Sequence, residues 1–180
     1  MCINNSEVKR YDGLNEFANK HSVVVLGSTF MSNIPMSELK QSFGIHSDVY
    51  NRSLTDLRID EASSILQNIM DTLSPKKIVL HLGEIELRDS DANISVLIYQ
   101  MKELIDIIKN SDKHCKIVLV SEANNEFDTK LEELAKNTKC QFADITSGST
   151  KDESIYINAF MKLKCFLADD ISEAFSFVTY

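Results

Sequence analysis

Two kinds of hydrophobic pattern alternate along the chain: short continuous apolar runs, and longer stretches in which apolar residues recur every three or four positions. The clearest short run is SVVVLGSTF (22–30), where four apolar residues, three of them β-branched, are followed by Gly27. A run of this kind is typical of a strand buried on both faces. We therefore predict a central strand here, with the candidate site just beyond Gly27, because ligands bind beyond the carboxyl ends of such strands.

The remaining elements follow from the same two patterns. Further strands are predicted at 47–53, 76–83, 116–121 and 140–145. Helical spacing predicts helices over 62–73, 91–110 and around 127–135, and a short helix capped by Ser37. The helix before the first strand has its expected apolar face at Val8, Tyr11, Leu14, Phe17 and Ala18. The last helix is expected to face inward at Ile157, Phe160, Met161, Leu167, Ile171, Ala174 and Phe175.

Regular alternation of strand and helix predicts the fold class. Crossovers of a dozen residues or more require parallel strands covered on both faces. We predict an α/β fold with three α/β/α layers, built on a doubly wound five-stranded parallel sheet in the order 2-1-3-4-5. No composition break divides the chain, so residues 1–180 are expected to form one domain. The residues expected to be buried in the central strands are Val24, Val25, Val79, Leu80, Val118 and Leu119.

Composition and charge exclude several classes of function. The 180 residues are 43% hydrophobic with a net charge of −8, and no basic run is interleaved with aromatic residues, so nucleic acid is not an expected partner. No apolar run approaches the roughly 18 residues of a membrane span, and the first residues lack the apolar region of a signal peptide. We expect a cytoplasmic protein. The four cysteines are far apart and are expected to be free thiols.

Four short motifs follow the predicted strands in order: GST (27–29), NRSLTD (51–56), GEIE (83–86) and ESIYIN (153–158). In this order, the chain resembles the SGNH (GDSL-type) hydrolase family over most of its length. The resemblance implies the three-layer fold predicted above. It also implies ester hydrolysis by a serine nucleophile, with a histidine as base and donors that bind the oxyanion.

Carried over position by position, the resemblance keeps Gly27 and Gly83 and changes the catalytic residues. Ser28 stands at the family's acid in the first motif, and Thr29 at its nucleophilic serine. In the second motif Asn51 matches and Asp56 stands at the oxyanion glycine. The third and fourth motifs place Ile85 at the oxyanion-binding asparagine, Glu86 at the following aspartate, Glu153 at the acid and Tyr156 at the histidine.

These replacements predict a dismantled esterase site and a binding or accessory role. The Thr29 methyl group crowds the nucleophile position, and a tyrosine, with a pKa of about 10, is a poor base. Loss of one oxyanion donor alone lowers the rate by about 10²–10³. The alternative is an active carboxylic-ester hydrolase, for example a carbohydrate O-deacetylase, that uses Ser28 or Thr29. Its base would be unidentified, and His81 would have to reach across neighbouring strands.

A second alternative is a phosphate- or nucleotide-binding flavodoxin-like module, because GSTFMSN (27–33) loosely resembles a hydroxyl-rich phosphate loop. That segment has Met31 where close backbone approach needs glycine. The chain has no G-x-G-x-x-G motif and no P-loop, and no cofactor is expected.

Acidic residues are the remaining candidates at the sheet edge. Asp56, Glu84, Glu86 and Glu122 follow the second, third and fourth strands. Such oxygen ligands suit Mg²⁺ or Ca²⁺, but they are more typical of the carboxylates of a solvated loop, in which Glu86 pairs with Arg88 or another surface base. No metal site is predicted. We expect a cleft for a small polar molecule, a cation or a protein partner, framed by Ser28, Thr29, Asn51, Asp56, Glu84, Ile85, Glu86 and Tyr156.

Overall fold

The five predicted strands form one parallel sheet in a computed structural model that describes residues 5–146 and 155–168. The strand order β2-β1-β3-β4-β5 confirms the predicted topology. The strands are β1 (Val23–Gly27), β2 (Val49–Asn51), β3 (Lys77–His81), β4 (Lys116–Val120) and β5 (Gln141–Ala143).

Helices follow the strands in the alternation that the sequence predicts. They are α1 (Asn5–Asn15), α2 (Thr29–Ser32), α3 (Met36–Ser42), α4 (Ala62–Leu73), α5 (Ile94–Ser111), α6 (Asn125–Thr138) and α7 (Ile155–Leu167). A single 3₁₀ turn, Glu86–Arg88, lies between β3 and α5.

Helices cover both faces of the sheet, which makes the three α/β/α layers. Residues alternate along each strand, so that Val24 faces α4, α5 and α6, whereas Val25 faces α2, α3 and α7. The six strand residues expected to be buried are all fully inaccessible to solvent, which confirms that prediction. The core therefore lies on both sides of the three central strands, as is usual for a parallel sheet.

Gly27 allows the chain to turn directly from β1 into α2. Gly27 pairs with His81 on β3, and a Cβ added at Gly27 would lie 2.8 Å from the His81 carbonyl oxygen and 2.8 Å from the Met31 side chain. Because the backbone passes this closely, a larger residue would push α2 away from the sheet. The turn places Ser28 and Thr29 at the carboxyl edge of the sheet.

The apolar faces predicted for the first and last helices are partly wrong. In α1, Leu14 is 44% exposed, and Phe17, just beyond the helix, is 86% exposed. The reason is that α1 packs against α4 at the margin of its layer, with Val8, Tyr11 and Ala18 on the core.

The face of α7 that meets the core is narrower than predicted. Ala159, Phe160 and Leu163 are buried, but Ile157 and Met161, which are four residues apart, lie on a neighbouring stripe of the helix and are exposed. The predicted inward positions Ile171, Ala174 and Phe175 lie outside the described residues.

The predicted cap of the short third helix is also wrong. Ser37 lies within α3, and Pro35 is the residue at its N-cap. Proline suits a helix start because it has no N–H to leave unpaired. The buried Met36 side chain holds this first turn against the core.

Candidate functional site

The Thr29 hydroxyl is fully engaged with Asp56. Its Oγ1 donates to Asp56 Oδ1 at 3.1 Å and accepts from the Asp56 backbone N–H at 2.9 Å. A hydroxyl has one proton to donate, and here that proton points to a carboxylate. The nucleophile position of the resemblance is therefore paired with an acid and not with an imidazole.

Asp56 has the backbone conformation of a glycine. Its φ is +56°, in the left-handed region that glycine adopts without strain. This agrees with its place at the family's oxyanion glycine. The N–H group that would bind an oxyanion donates to Thr29 instead.

Asn51 ties the second loop to α2. Its Nδ2 donates to the Met31 carbonyl oxygen at 2.8 Å, and its Oδ1 accepts from the Ser53 N–H at 3.0 Å. Both ends of this amide bond to backbone groups of the protein. Asn51 therefore holds the two loops together at this edge of the sheet.

Glu84 bridges the first and third loops. Its Oε2 accepts from the Phe30 N–H at 2.8 Å, and its Oε1 accepts from Arg88 Nη2 at 2.6 Å. Arg88 Nη1 also lies 3.9 Å from Asp56 Oδ1, so a guanidinium group lies between the two carboxylates. A carboxylate thus binds a first-turn N–H group of α2.

Glu86 is a buried link between loops, so the solvated-carboxylate alternative does not describe it. Its Oε1 accepts from the Ile59 N–H at 2.8 Å and lies 3.8 Å from Arg58 Nε. Of the partners expected for Glu86, Arg88 binds Glu84 instead, but another surface base, Arg58, does lie beside Glu86. Ile85, just before it, is half-buried and has no side-chain group that could bind an oxyanion.

Ser28 and Tyr156 also lie at this edge. Ser28 is fully buried, and its Oγ has no hydrogen-bond partner among the described residues. Tyr156 is half-buried, and its ring centroid lies 5.3 Å from that of Phe30. Glu153, the remaining predicted catalytic position, lies outside the described residues.

His81 and Glu122 form a second polar group, on the other side of Phe30. His81 Nδ1 lies 3.1 Å from Glu122 Oε1, and the two side chains are 4% and 3% exposed. Despite this distance their alignment does not make a hydrogen bond, and neither atom has such a partner within the described ranges. The His81 ring lies 5.5 Å from the ring of Phe30.

Burial opposes charge on both members of this pair. Desolvation lowers the pKa of His81 to about 4, although contacts with the backbone of His81 and Ser121 act in the opposite direction. Desolvation also raises the pKa of the Glu122 carboxyl well above its ordinary value, and nearby Glu84, Asp128 and Glu86 raise it further. Both shifts disfavour an ion pair at this contact.

A cavity of about 330 Å³ opens beside this pair, beyond the carboxyl ends of β3 and β4. Such a volume is at the lower end of the range for small-molecule pockets. Its lining residues are Phe30, His81, Glu84, Ser121, Glu122, Ala123, Ile145, Thr146, Ile155 and Ala159. The cavity shares Phe30 and Glu84 with the Thr29 region.

Sequence reasoning missed two residues that organise this edge. Phe30 contacts His81 and Tyr156, and Arg88 joins Glu84 to Asp56. The spacing of Glu84 and Arg88, four residues apart, was a detectable signal for that pair. The role of Phe30 had no signal, because it depends on which strands are neighbours. Within 5–146 and 155–168 no three metal-ligating side chains come together.

Three solved structures share this architecture. A GDSL-like lipase from Bacteroides thetaiotaomicron is 15% identical at a TM-score of 0.65, covering 81% of this chain and 81% of that chain. A psychrotrophic esterase from Pseudoalteromonas sp. is 11% identical with a TM-score of 0.63, covering 82% of this chain and 99% of that chain. A family 3 carbohydrate esterase from Clostridium thermocellum is 12% identical with a TM-score of 0.63, covering 83% of this chain and 98% of that chain.

At these identities the likeness shows the fold alone, and it confirms the SGNH (GDSL-type) hydrolase fold that the sequence motifs predict. No protein-family model and no curated protein matches the sequence. Among the described helices, none combines the length and the apolar composition needed to cross a membrane.

Proposed function

We propose that this chain is an SGNH-like protein whose esterase site no longer catalyses ester hydrolysis and which serves as a binding or accessory protein. The observation that carries the proposal is the pairing of the Thr29 hydroxyl with Asp56 on both its donor and its acceptor side. A serine-type nucleophile needs an imidazole to take its proton during attack. The Thr29 hydroxyl donates its proton to the Asp56 carboxylate instead of to an imidazole.

The groups that would bind an oxyanion are occupied or replaced. The Asp56 N–H binds Thr29, and Ile85 has no donor to offer. An oxyanion that formed here would also develop beside two carboxylates. Each lost donor costs about 10²–10³ in rate, so the combined loss removes the family's electrostatic contribution to catalysis.

An esterase assay tests this proposal directly. Purified protein is incubated with p-nitrophenyl acetate, and its rate is compared with that of the Thr29→Ala variant. We expect equal rates, because Thr29 does not act as a nucleophile. A wild-type rate that Thr29→Ala or Ser28→Ala abolishes would contradict the proposal.

One observation favours the second candidate, an active carboxylic-ester hydrolase. His81 and Glu122 are an imidazole and an acid at 3.1 Å, the kind of pair that orients a catalytic base, and they lie beside Phe30. If this second candidate is correct, the protein hydrolyses esters, and both His81→Gln and Thr29→Ala abolish that activity. Phosphate or nucleotide binding in the first loop is disfavoured, since the Glu84 carboxylate already binds the Phe30 N–H.

For the proposed role, the expected ligand is a small polar molecule or a side chain of a protein partner, and the proposed compartment is the cytoplasm. The acidic composition and the carboxylates at the sheet edge support a ligand that is neutral or positively charged.

A further inference from the structure

Arg52 is a buried cation whose N–H groups are only partly used by the fold. It directly follows β2, its side chain reaches α1, and the residue is 6% exposed. Its Nε donates to Asn15 Oδ1 at 2.8 Å, and its Nη1 donates to the Asn51 carbonyl oxygen at 3.3 Å. These bonds use two of the five N–H groups of a guanidinium. Nη2 has no hydrogen-bond partner among the described residues, and it is not one of the fully buried unpartnered atoms, so solvent reaches it.

No carboxylate balances the charge of Arg52. Its guanidinium carbon lies 5.2 Å from the ring centroid of Tyr11 and 5.2 Å from that of Tyr50, and aromatic faces stabilise a cation only in part. Burial lowers the pKa of Arg52, the two tyrosines act in the opposite direction, and Arg10 lowers it further. Within the described ranges neither Arg52 nor Arg10 forms an ion pair. A nearby anion would balance the buried charge and reduce the repulsion between the two arginines.

A cavity of about 390 Å³ lies beside Arg52, between α1, α3 and β2. Arg10 and Arg52 both line it, as do the hydroxyl-bearing residues Ser37 and Tyr50. In the part of the chain that the structure describes, Glu38 is the one acidic residue that lines it, and Glu38 is exposed. Although the chain has a net charge of −8, the local charge at this cavity is therefore positive.

We propose that this cavity binds a phosphate group, either as free phosphate or as the end of a small phosphomonoester. Nη2 of Arg52 donates to the phosphate oxygens, and the exposed side chain of Arg10 supplies a second positive charge. The planar guanidinium matches phosphate oxygens in a bidentate arrangement, and two arginines match the two negative charges of a phosphate group. The inference goes beyond the proposed function and does not depend on it, because neither arginine takes part in ester chemistry.

Four probes test the chemical class: inorganic phosphate, glycerol 3-phosphate, glycerol and acetate. Isothermal titration calorimetry at constant ionic strength measures each affinity at about pH 8, where a phosphate group is mostly a dianion. We expect inorganic phosphate to bind at least about tenfold more tightly than acetate, and glycerol not to bind. Tighter binding of glycerol 3-phosphate than of phosphate would identify a phosphomonoester as the better ligand. Equal binding of the two would show that the phosphate group alone is recognised.

Matched variants assign the binding to the arginines. Arg52→Gln should weaken phosphate binding by about tenfold or more, and Arg10→Gln should weaken it by a smaller factor, because Arg10 is exposed. Lys9→Gln is the control, since it removes the same charge from the neighbouring exposed position on α1, which does not line the cavity. Its phosphate affinity should stay within about twofold of the wild type.

A second variant tests the cavity without changing Arg52, which also ties α1 to β2. Ser37→Glu places a negative charge at an exposed position of the cavity wall. An acidic residue in the first turn of α3 is compatible with folding. If Arg52→Gln fails to fold, Ser37→Glu should still weaken phosphate binding by about fivefold or more. Unchanged phosphate affinity in both Ser37→Glu and Arg10→Gln would overturn the proposal.

The remaining outcomes also decide the question. No phosphate binding to the wild-type protein, equal binding of acetate and phosphate, or an equal loss of affinity in Lys9→Gln and Arg52→Gln would each overturn the phosphate site. The role of Arg52 would then be to hold α1 against β2. The rate with p-nitrophenyl acetate tests the proposed function separately, and none of these binding results changes that test.

Discussion

The two halves of the carboxyl edge of the sheet differ in how their polar groups are satisfied. On the β1–β2 side, the side chains of Thr29, Asn51 and Asp56 bond to one another or to nearby backbone. On the β3–β4 side, His81 and Glu122 lie in contact without a hydrogen bond, next to a cavity. The half that carries Thr29 is thus the satisfied half, and the half that carries His81 and Glu122 is the unsatisfied half.

The comparison separates the location of a site from its chemistry. Parallel strands bring the loops to one edge whatever side chains they carry. Internal side chains can then occupy donors that a substrate would use, as the Thr29 hydroxyl does at the Asp56 N–H. A cavity lies beside His81 and Glu122, on the other half of the edge.

The largest expected effect comes from Gly27, which both halves share. In Gly27→Ala the new Cβ would lie 2.8 Å from the His81 carbonyl oxygen, a backbone atom that cannot move aside. We expect the free energy of unfolding to fall by about 3 kcal/mol, measured by urea denaturation. Gly13→Ala in α1, where nothing lies within 4 Å, is the control and should not destabilise. Equal behaviour of the two variants would contradict the close packing described at Gly27.

The pH dependence of stability tests the unsatisfied half. The pKa of His81 is lowered to about 4, so its contribution to stability is lost as pH falls below 6.5. The pKa of Glu122 is raised, so its contribution is lost as pH rises above 4.5. Between pH 4.5 and pH 6.5 the two groups change the stability of the wild-type protein in opposite directions.

Removing one titrating group should reveal the pH dependence of stability that the other group causes. In Glu122→Gln, stability should rise between pH 4.5 and 6.5 more steeply than in the wild type, by up to about 1.4 kcal/mol per pH unit. Chemical denaturation at intervals across this range measures the difference. Parallel profiles for the two proteins would show that Glu122 ionises normally in the folded state.

Two adjacent hydroxyls provide a smaller and direct contrast between satisfied and unsatisfied groups. Thr29→Val removes both hydrogen bonds to Asp56 and should lower the free energy of unfolding by about 1 kcal/mol. Ser28→Ala removes a buried hydroxyl without a partner and should be neutral or stabilising. Thermal denaturation of both variants measures the difference in stability. A larger loss of stability in Ser28→Ala than in Thr29→Val would contradict the prediction.

The smallest effect is expected at Arg88. Its side chain is 58% exposed, and surface ion pairs contribute little to stability. Arg88→Gln should lower the free energy of unfolding by at most about 0.5 kcal/mol, with a smaller difference in high salt. Lys102→Gln, at another exposed ion pair, is the comparison. A loss well above that of Lys102→Gln would mean that Arg88 holds Glu84 and Asp56 together more strongly than exposure suggests.

The sequence alone determined the fold and the edge of the sheet at which the candidate loops lie. Buried strands such as 23–27 have a continuous apolar pattern that is independent of their neighbours, and the alternation with helices leaves few parallel arrangements. Gly27 and Gly83 mark where two strands end. The loops that carry Thr29, Asp56 and Glu84 could therefore be assigned to one edge of the sheet from the sequence alone.

Only the tertiary structure decided which polar groups meet. Hydrogen bonds such as Thr29 to Asp56 and Glu84 to Phe30 join residues 27 and 54 positions apart, and their partners depend on loop conformations that local sequence does not specify. The contact of His81 with Glu122 depends on the register of β3 against β4 and on burial, which also sets their pKa values. Periodicity reports which face of an element is buried, but not which side chains share a cavity.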